Sequence, residues 1–118
     1  NWNNHIGLPL TVLHLETDHE VVILEMGMNH SGEIAFLCEI APPHVSIITN
    51  VGSAHMEHMG SIEAIAMEKG TVARALGTEG TLVIPANCAY LDDYRSTTQG
   101  SILAVGNDDS PVRAENLV

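Results

Sequence analysis

A chain of 118 residues is long enough for one domain with a hydrophobic core but not for two. Fifteen Asp and Glu residues against four Lys and Arg residues give a formal net charge of −11, which argues against a nucleic-acid-binding surface. No apolar run approaches the roughly 20 residues of a membrane span, and no signal-peptide pattern is found.

The apolar patterning predicts four helices that alternate with four strands. The predicted order is helix 6–15, strand 21–26, helix 32–41, strand 45–51, helix 61–77, strand 80–86, helix 88–97 and strand 101–106. Ser61 is the predicted N-cap of the third helix and Gly77 its predicted end. This alternation is typical of an α/β fold, with a mostly parallel sheet and helices on both faces. Residues 107–118 are interpreted as an extra strand or a linker.

Polar side chains follow the predicted strands where each strand ends. Glu25 ends the first strand, Asn50 and then His55 follow the second, and Asn87 follows the third. A parallel sheet of this kind places its ligand crevice outside the carboxyl ends of the strands. We therefore expect these residues to lie along one crevice.

Two of these features have more than one interpretation. Glu25 is either a strand-terminal charge that reaches water or a carboxylate ligand for a hard cation such as Mg²⁺. His55 and His58 flank Glu57, but their spacing is not the H-E-x-x-H of zinc enzymes, and no third zinc ligand stands at a recognisable spacing. We favour one ligand histidine beside one surface histidine.

Lys69 is the only lysine, and it lies on the apolar stripe of its predicted helix. An ammonium group there is costly unless it is paired or modified. Lys69 is therefore either a side chain that extends past the edge of the core to water or a functional lysine over the crevice. The stripe consists of Ile62, Ile65, Lys69, Val72 and Leu76.

The glycines of MGMNHSGEI (26–34) suit a backbone–ligand contact between strand and helix, but the segment lacks G-x-G-x-x-G. No G-x-x-x-x-G-K-[ST] motif is found either, so the chain has no phosphate-binding P-loop of its own. The two cysteines, Cys38 and Cys88, are interpreted as reduced thiols of a cytoplasmic protein, although they could pair.

Taken together, four segments resemble the central domain of the Mur ligase family. The E-x-G-x-N-H-x-G-E-I pattern favours its MurF type, the ligases that add D-alanyl-D-alanine to UDP-N-acetylmuramoyl-tripeptide. The implied fold is a P-loop-NTPase-like central ATP-binding domain that lacks its P-loop strand, with residues 1–118 as a single partial domain. The four segments are NNHIGLPLT (3–11), LEMGMNHSGEI (24–34), TNVGSAHMEHMGS (49–61) and AMEKG (66–70).

The resemblance implies an ATP-dependent amide ligase of bacterial peptidoglycan synthesis, and hence a role in cell wall biogenesis, cell shape and cell division. In this family ATP phosphorylates a carboxylate to an acyl phosphate, and an incoming amine displaces the phosphate. The resemblance also implies site residues: Glu25 and His55 as Mg²⁺ ligands, Lys69 as a catalytic lysine that is often carbamylated, and Asn87 near the adenine of ATP. It implies that Asn4, Asn29 and His30 lie in segments that face substrate or metal, and we predict that they bind substrate.

The chain also departs from the family pattern. Gly70 is followed by Thr71 where Glu is usual, and Cys88 stands where an acidic residue is common. We expect the family's G-T-N-G-K-T P-loop to precede Asn1, and its amino- and carboxyl-terminal domains to lie outside these 118 residues. We therefore expect a fragment that is inactive alone and whose unpaired sheet edge favours a dimer. The alternatives are a sister Mur or folylpolyglutamate-type ligase and a non-catalytic α/β binding domain.

Overall fold

A computed structural model describes residues 2–106 and 109–112. Within these residues the chain forms an α/β arrangement, as the sequence predicts. Its elements are α1 (Gly7–Leu13), α2 (Glu33–Ile40), β1 (Val45–Ile47), α3 (Met56–Met59), α4 (Ile62–Lys69), α5 (Thr71–Arg74), β2 (Thr81–Pro85), α6 (Leu91–Thr97) and β3 (Ser101–Val105). None of the helices in the described part is long and apolar enough to cross a membrane.

The three strands form one parallel sheet in the order β1-β2-β3. Ser46 pairs with Leu82, and Leu82 pairs with Ile102. Parallel neighbours need long crossover connections, and these contain α3, α4 and α5 before β2 and α6 before β3. After β3, Val105 forms an isolated parallel bridge with Val112. Of the predicted strand or linker at 107–118, residues 107–108 and 113–118 lie outside the described residues.

One face of the sheet is buried beneath the helices. Leu82 and Ile84 have no exposed surface, and they pack in one cluster with Ala73 of α5 and Tyr94 of α6. The alternation along β1 points Val45 and Ile47 to the opposite face, where they are 59% and 64% exposed. The helical cover expected on that second face is therefore not seen over β1 among the described residues.

A second cluster packs α1, α2 and α4 together through Leu8, Leu37 and Ile65, each at most 1% exposed. Cys38 of α2 belongs to this cluster and Cys88 is half-buried beside the other, and both are free thiols, as predicted. Because α4 contributes to this cluster while α5 contributes to the cluster under the sheet, the α4–α5 segment connects both cores.

Residues 21–26 form no strand, contrary to the prediction from their apolar run. Val21 and Ile23 are 76% and 91% exposed. A run of this kind becomes a strand only when a neighbouring strand completes its hydrogen-bond ladder, and no described strand lies on the free side of β1. The chain is instead fixed just after this run, where the Gly27 N–H donates to the Asn3 carbonyl over 2.8 Å.

The predicted helix 61–77 begins as expected, because the Ser61 hydroxyl accepts a hydrogen bond from the Ala64 N–H at 3.1 Å. Its predicted end at Gly77 is wrong, since α5 ends at Arg74 and the segment is interrupted at Gly70.

Gly70 is required by packing rather than by backbone conformation. Its φ of −63° and ψ of −10° are open to any residue. However, a Cβ atom at this position would lie 2.6 Å from Cε1 of Tyr94 and 3.2 Å from the Ala66 carbonyl oxygen. The Tyr94 hydroxyl donates to that same carbonyl over 2.8 Å, so the ring is held against Gly70. Burial raises the pKa of Tyr94, which keeps its hydroxyl a donor.

Candidate functional site

Lys69, the last residue of α4, reaches the loop that follows β1. Its side chain is half-buried, and Nζ donates to the carbonyl oxygen of Asn50 over 2.6 Å. Asn50 lies three residues beyond the end of β1, where the crevice of a parallel sheet is expected. The amine therefore lies at the carboxyl end of the sheet, paired with a carbonyl rather than extended into water.

His55 precedes α3 in a left-handed backbone conformation, with φ of 70° and ψ of 12°. It is the one non-glycine residue with positive φ in the part of the chain that the structure describes. This region is uncommon for residues with a Cβ atom and is often found at functional sites. The His55 side chain is exposed, so it is free to accept a ligand.

No ring contact between His58 and His55 is seen among the described residues. The His58 ring instead contacts the ring of His30, with centroids 5.6 Å apart and planes tilted by 44°. The two rings border a cavity of about 180 Å³ between the segment that precedes α2 and the helices α3 and α4. Its lining residues are His30, Ser31, His58, Met59, Ala64, Met67 and Glu68.

Glu25 is exposed and is oriented by a neighbour that the sequence analysis did not identify. Its Oε1 atom accepts a hydrogen bond from Nδ2 of Asn3 over 2.6 Å. Asn3 also accepts the Gly27 N–H, and a Cβ atom on Gly27 would meet the Asn3 side-chain amide at 2.6 Å. The only signal for this contact in the sequence is the asparagine-rich start of the chain.

The predicted substrate-facing residues have local backbone roles. Oδ1 of Asn4 accepts the N–H groups of Ile6 and Gly7 at 3.1 and 2.9 Å, which satisfies two backbone donors where α1 begins. The N–H groups of Asn29 and His30 donate to Oε2 of Glu33 at 2.6 and 3.0 Å.

Those two donors have an electrostatic consequence at Glu33. The backbone hydrogen bond from Asn29, followed by that from His30, lowers the pKa of Glu33 below its ordinary value of 4.5. The side chains of Asn29 and His30 are exposed, as is Asn87 in the turn after β2.

Glu68 is a functional candidate that the sequence analysis missed. It is only 5% exposed, and its two carboxylate oxygens accept the N–H groups of Gly32 and Ile34, each at 2.9 Å. These N–H groups open α2, whose N-cap Gly32 has no side chain to cap the helix. The i, i+3 spacing from buried Ile65 is the signal that could have placed Glu68 on the inner face.

The predicted site residues are only partly brought together. Lys69 contacts the loop that carries His55, but no hydrogen bond or ion pair seen between described residues joins Glu25 to His55. Nor do three or more His, Cys, Asp or Glu side chains converge on a metal-sized position within residues 2–106 and 109–112. The end of α4 thus holds two segments: Lys69 binds the loop that follows β1, and Glu68 binds the start of α2.

The sequence profile of the Mur ligase middle domain matches residues 1–117. The UDP-N-acetylmuramoyl-tripeptide–D-alanyl-D-alanine ligase of Bacillus subtilis is 47% identical over 83 residues, which cover 70% of this chain and 18% of that protein. The ligase of the same name from Synechocystis is 37% identical over an alignment of 123 residues, gaps included. The alignment covers all of this chain and 27% of that protein.

Two solved structures are similar across nearly the whole chain. MurF from Acinetobacter baumannii superposes with a TM-score of 0.89 at 30% identity, over 98% of this chain and 26% of that one. MurF from Thermotoga maritima, solved in complex with ADP, gives 0.79 at 33% identity, over 93% and 26%. This chain thus spans between 18% and 27% of the length of these four relatives.

Proposed function

Because this chain belongs to the Mur ligase family, we propose that residues 1–118 are the central ATP-binding domain of a bacterial cytoplasmic ligase. The ligase would join D-alanyl-D-alanine to UDP-N-acetylmuramoyl-tripeptide in peptidoglycan synthesis, which is the reaction that its relatives' names describe. The observation that carries the proposal is the position of Lys69, whose amine lies over the carboxyl end of the sheet at Asn50.

The proposed reaction has two steps. The γ-phosphoryl group of ATP passes to the terminal carboxylate of the tripeptide, which gives an acyl phosphate and ADP. The amine of D-alanyl-D-alanine then attacks the acyl carbon, phosphate leaves, and an amide bond forms. The ADP complex of the Thermotoga maritima relative supports a nucleotide site in this fold.

The donor set of this chain fits Mg²⁺. Glu25 offers an exposed carboxylate just before the segment that leads to α2, and His55 offers an exposed imidazole in the loop after β1. Mg²⁺ is usually held by one or two carboxylates together with substrate phosphates and waters, so a protein cage of three side chains is not needed. When bound, the ion would offset the negative charge of the phosphoryl group during transfer.

We propose that Lys69 is carbamylated in the active protein. Its neutral amine would attack CO₂ and lose a proton, which replaces an ammonium by a carbamate anion. The carbamate nitrogen keeps one hydrogen, so it retains a donor for the Asn50 carbonyl at 2.6 Å. The anion would then supply oxygen atoms on the crevice side, where Glu25 and His55 are proposed to bind metal.

The remaining site residues are assigned from their positions. Asn87, exposed in the turn after β2, would contact the adenine of ATP. Asn4, Asn29 and His30 would face the UDP-linked substrate. The other domains of the same protein would bring the phosphate-binding loop and most of the substrate contacts, and the free edge of β1 would favour a dimer of this domain when it is isolated.

The test is ATP turnover by the full-length protein. We expect ADP release that depends on both UDP-N-acetylmuramoyl-tripeptide and D-alanyl-D-alanine. Turnover with glutamate or another amine in place of D-alanyl-D-alanine would favour a sister ligase. No ATP turnover with any of these substrates would favour a non-catalytic binding domain.

The variant Lys69→Ala tests the role of the lysine. We expect kcat to fall by about 10²-fold or more, because charge stabilisation at the transferring group is lost, and bicarbonate should not restore it. Arg95→Ala is the matched control, since Arg95 is an exposed cation on α6 paired with Asp92. A Lys69→Ala rate equal to that of the control would contradict the proposed role.

A further inference from the structure

We propose that Glu68 is a positioning residue that holds residues 27–34 at a fixed place relative to Lys69. This segment, called the 27–34 loop below, is the loop before α2 together with the first two residues of α2. The inference rests on the proposed function, because it assigns a task to Glu68 within that site. It concerns a buried carboxylate that neither the metal nor the nucleotide assignment uses.

Glu68 joins two parts of the chain that are more than thirty residues apart. Its Oε2 accepts the N–H of Gly32 and its Oε1 accepts the N–H of Ile34, both at 2.9 Å. Gly32 has a φ of 90° and no side chain, so α2 begins without a cap of its own. A carboxylate at this point satisfies two free N–H groups and also interacts favourably with the helix dipole.

The adjacent residue holds the other loop. Lys69 donates to the carbonyl of Asn50 in the loop that leads to His55. Two consecutive residues of α4 therefore bind two loops, one that carries the proposed ligand His55 and one that carries the proposed substrate contacts. The 27–34 loop contains Asn29 and His30, and Glu25 lies two residues before it.

The 27–34 loop is also held together by hydrogen bonds of its own. Within it, Glu33 accepts the N–H groups of Asn29 and His30 at 2.6 and 3.0 Å. These contacts join residues 29, 30 and 33. The Glu68 carboxylate then links this unit to α4 by hydrogen bonds, beside the packing of Ile34 and Ile65 in one core cluster. The Glu68 carboxylate also affects the Cys38 thiol of α2. Burial raises the pKa of this thiol most, and the negative charge of Glu68 raises it further.

The test compares Glu68→Gln with Glu63→Gln in the full-length protein. Gln keeps the size of the side chain, but its amide nitrogen cannot accept a hydrogen bond, so one of the two contacts is lost. Glu63 lies on the same helix and is exposed, which makes the same chemical change a matched control. Glu68→Asp, which keeps the charge but shortens the reach, is the second variant.

The first measurement is amide hydrogen exchange. Loss of one hydrogen bond to a charged acceptor should speed exchange at Gly32 or Ile34 by about tenfold or more in Glu68→Gln, with β2 and β3 unchanged. Exchange in residues 27–34 equal to that of Glu63→Gln would overturn the proposal, and this readout does not depend on any enzymatic activity.

The second measurement is steady-state kinetics with the thermal midpoint determined in parallel. We expect kcat of Glu68→Gln to fall by about tenfold with the KM for ATP nearly unchanged, because the loop is misplaced while the nucleotide site is intact. Glu68→Asp should retain more activity than Glu68→Gln if charge at the α2 start matters. A loss of activity that is explained by a smaller folded fraction would overturn the positioning role.

Absence of turnover in the unsubstituted protein would instead refute the proposed function. The exchange data would still decide whether Glu68 holds the loop.

Discussion

The contact between Gly70 and Tyr94 predicts that Gly70→Ala destabilises the protein, and the size of the effect follows from the distances. A methyl group added by Gly70→Ala would lie 2.6 Å from Cε1 and 3.1 Å from Cδ1 of Tyr94. The ring cannot simply turn aside, because it is 3% exposed and its hydroxyl is bonded to the Ala66 carbonyl. The clash must therefore move α6 or the junction of α4 and α5.

Two opposing effects set the change in the free energy of unfolding on Gly70→Ala. Overpacking of this kind costs about 1–3 kcal/mol. Alanine also gains up to about 1 kcal/mol over glycine in a helical conformation, and the φ of −63° at Gly70 permits that gain. We expect a net loss of about 1–2 kcal/mol in the free energy of unfolding, which corresponds to a thermal midpoint lower by about 5 °C.

Urea unfolding followed by circular dichroism is the assay, and Gly77→Ala is the matched control. Gly77 is exposed, does not have positive φ, and has no atom within 4 Å of an added Cβ, so its change should be neutral or slightly stabilising. In Gly70→Ala/Tyr94→Leu the smaller side chain removes the clash, so the two changes should couple favourably. Equal stabilities for Gly70→Ala and Gly77→Ala would refute the packing argument.

Three further outcomes are expected. Ser61→Ala removes the cap of the Ala64 N–H and should lower the free energy of unfolding by about 1 kcal/mol in urea titrations, and an unchanged midpoint would show that the cap is dispensable. Gly100→Ala should destabilise more than Gly77→Ala in the same assay, because its Cβ would overlap the backbone carbonyl of Gly80, which cannot rotate away. Because the pKa of Glu33 is lowered in the folded state, its carboxylate contributes stability that is present above pH 4.5 and is lost as the pH falls through the folded-state pKa. Glu33→Gln should therefore weaken the dependence of the free energy of unfolding on pH at acid pH, measured by urea titration. An unchanged dependence would contradict this assignment.

Local patterns predicted most of the elements correctly. Apolar runs bounded by glycine gave β2 and β3 within one residue at each end, and Ser61 marked the start of α4 because capping depends on neighbours three residues away. The run at 21–26 failed because a strand depends on a partner strand, which no local pattern supplies.

At the candidate site, too, the sequence could not predict contacts that depend on distant partners. Lys69 stood out because it is a charge on an apolar stripe, and its contact with Asn50 agrees with that position. Helical spacing from Ile65 can place Glu68 on the inner face, but it cannot identify the groups that Glu68 binds. Those groups, Gly32 and Ile34, and the Tyr94 ring that packs on Gly70 are 24 to 36 residues away in the sequence. The metal, nucleotide and substrate roles came from family resemblance and stay predictions.

The adjacency of Glu68 and Lys69 has a consequence for how this segment tolerates length changes. Consecutive residues of an α-helix point about 100° apart and rise about 1.5 Å, so the two side chains reach their two loops only at one rotational phase of α4. One residue inserted between Ser61 and Glu68 would turn the carboxylate away from Gly32 and the amine away from Asn50 together. An insertion near Gly77, beyond α5, would rotate neither side chain, and sequence length should therefore vary there rather than within α4.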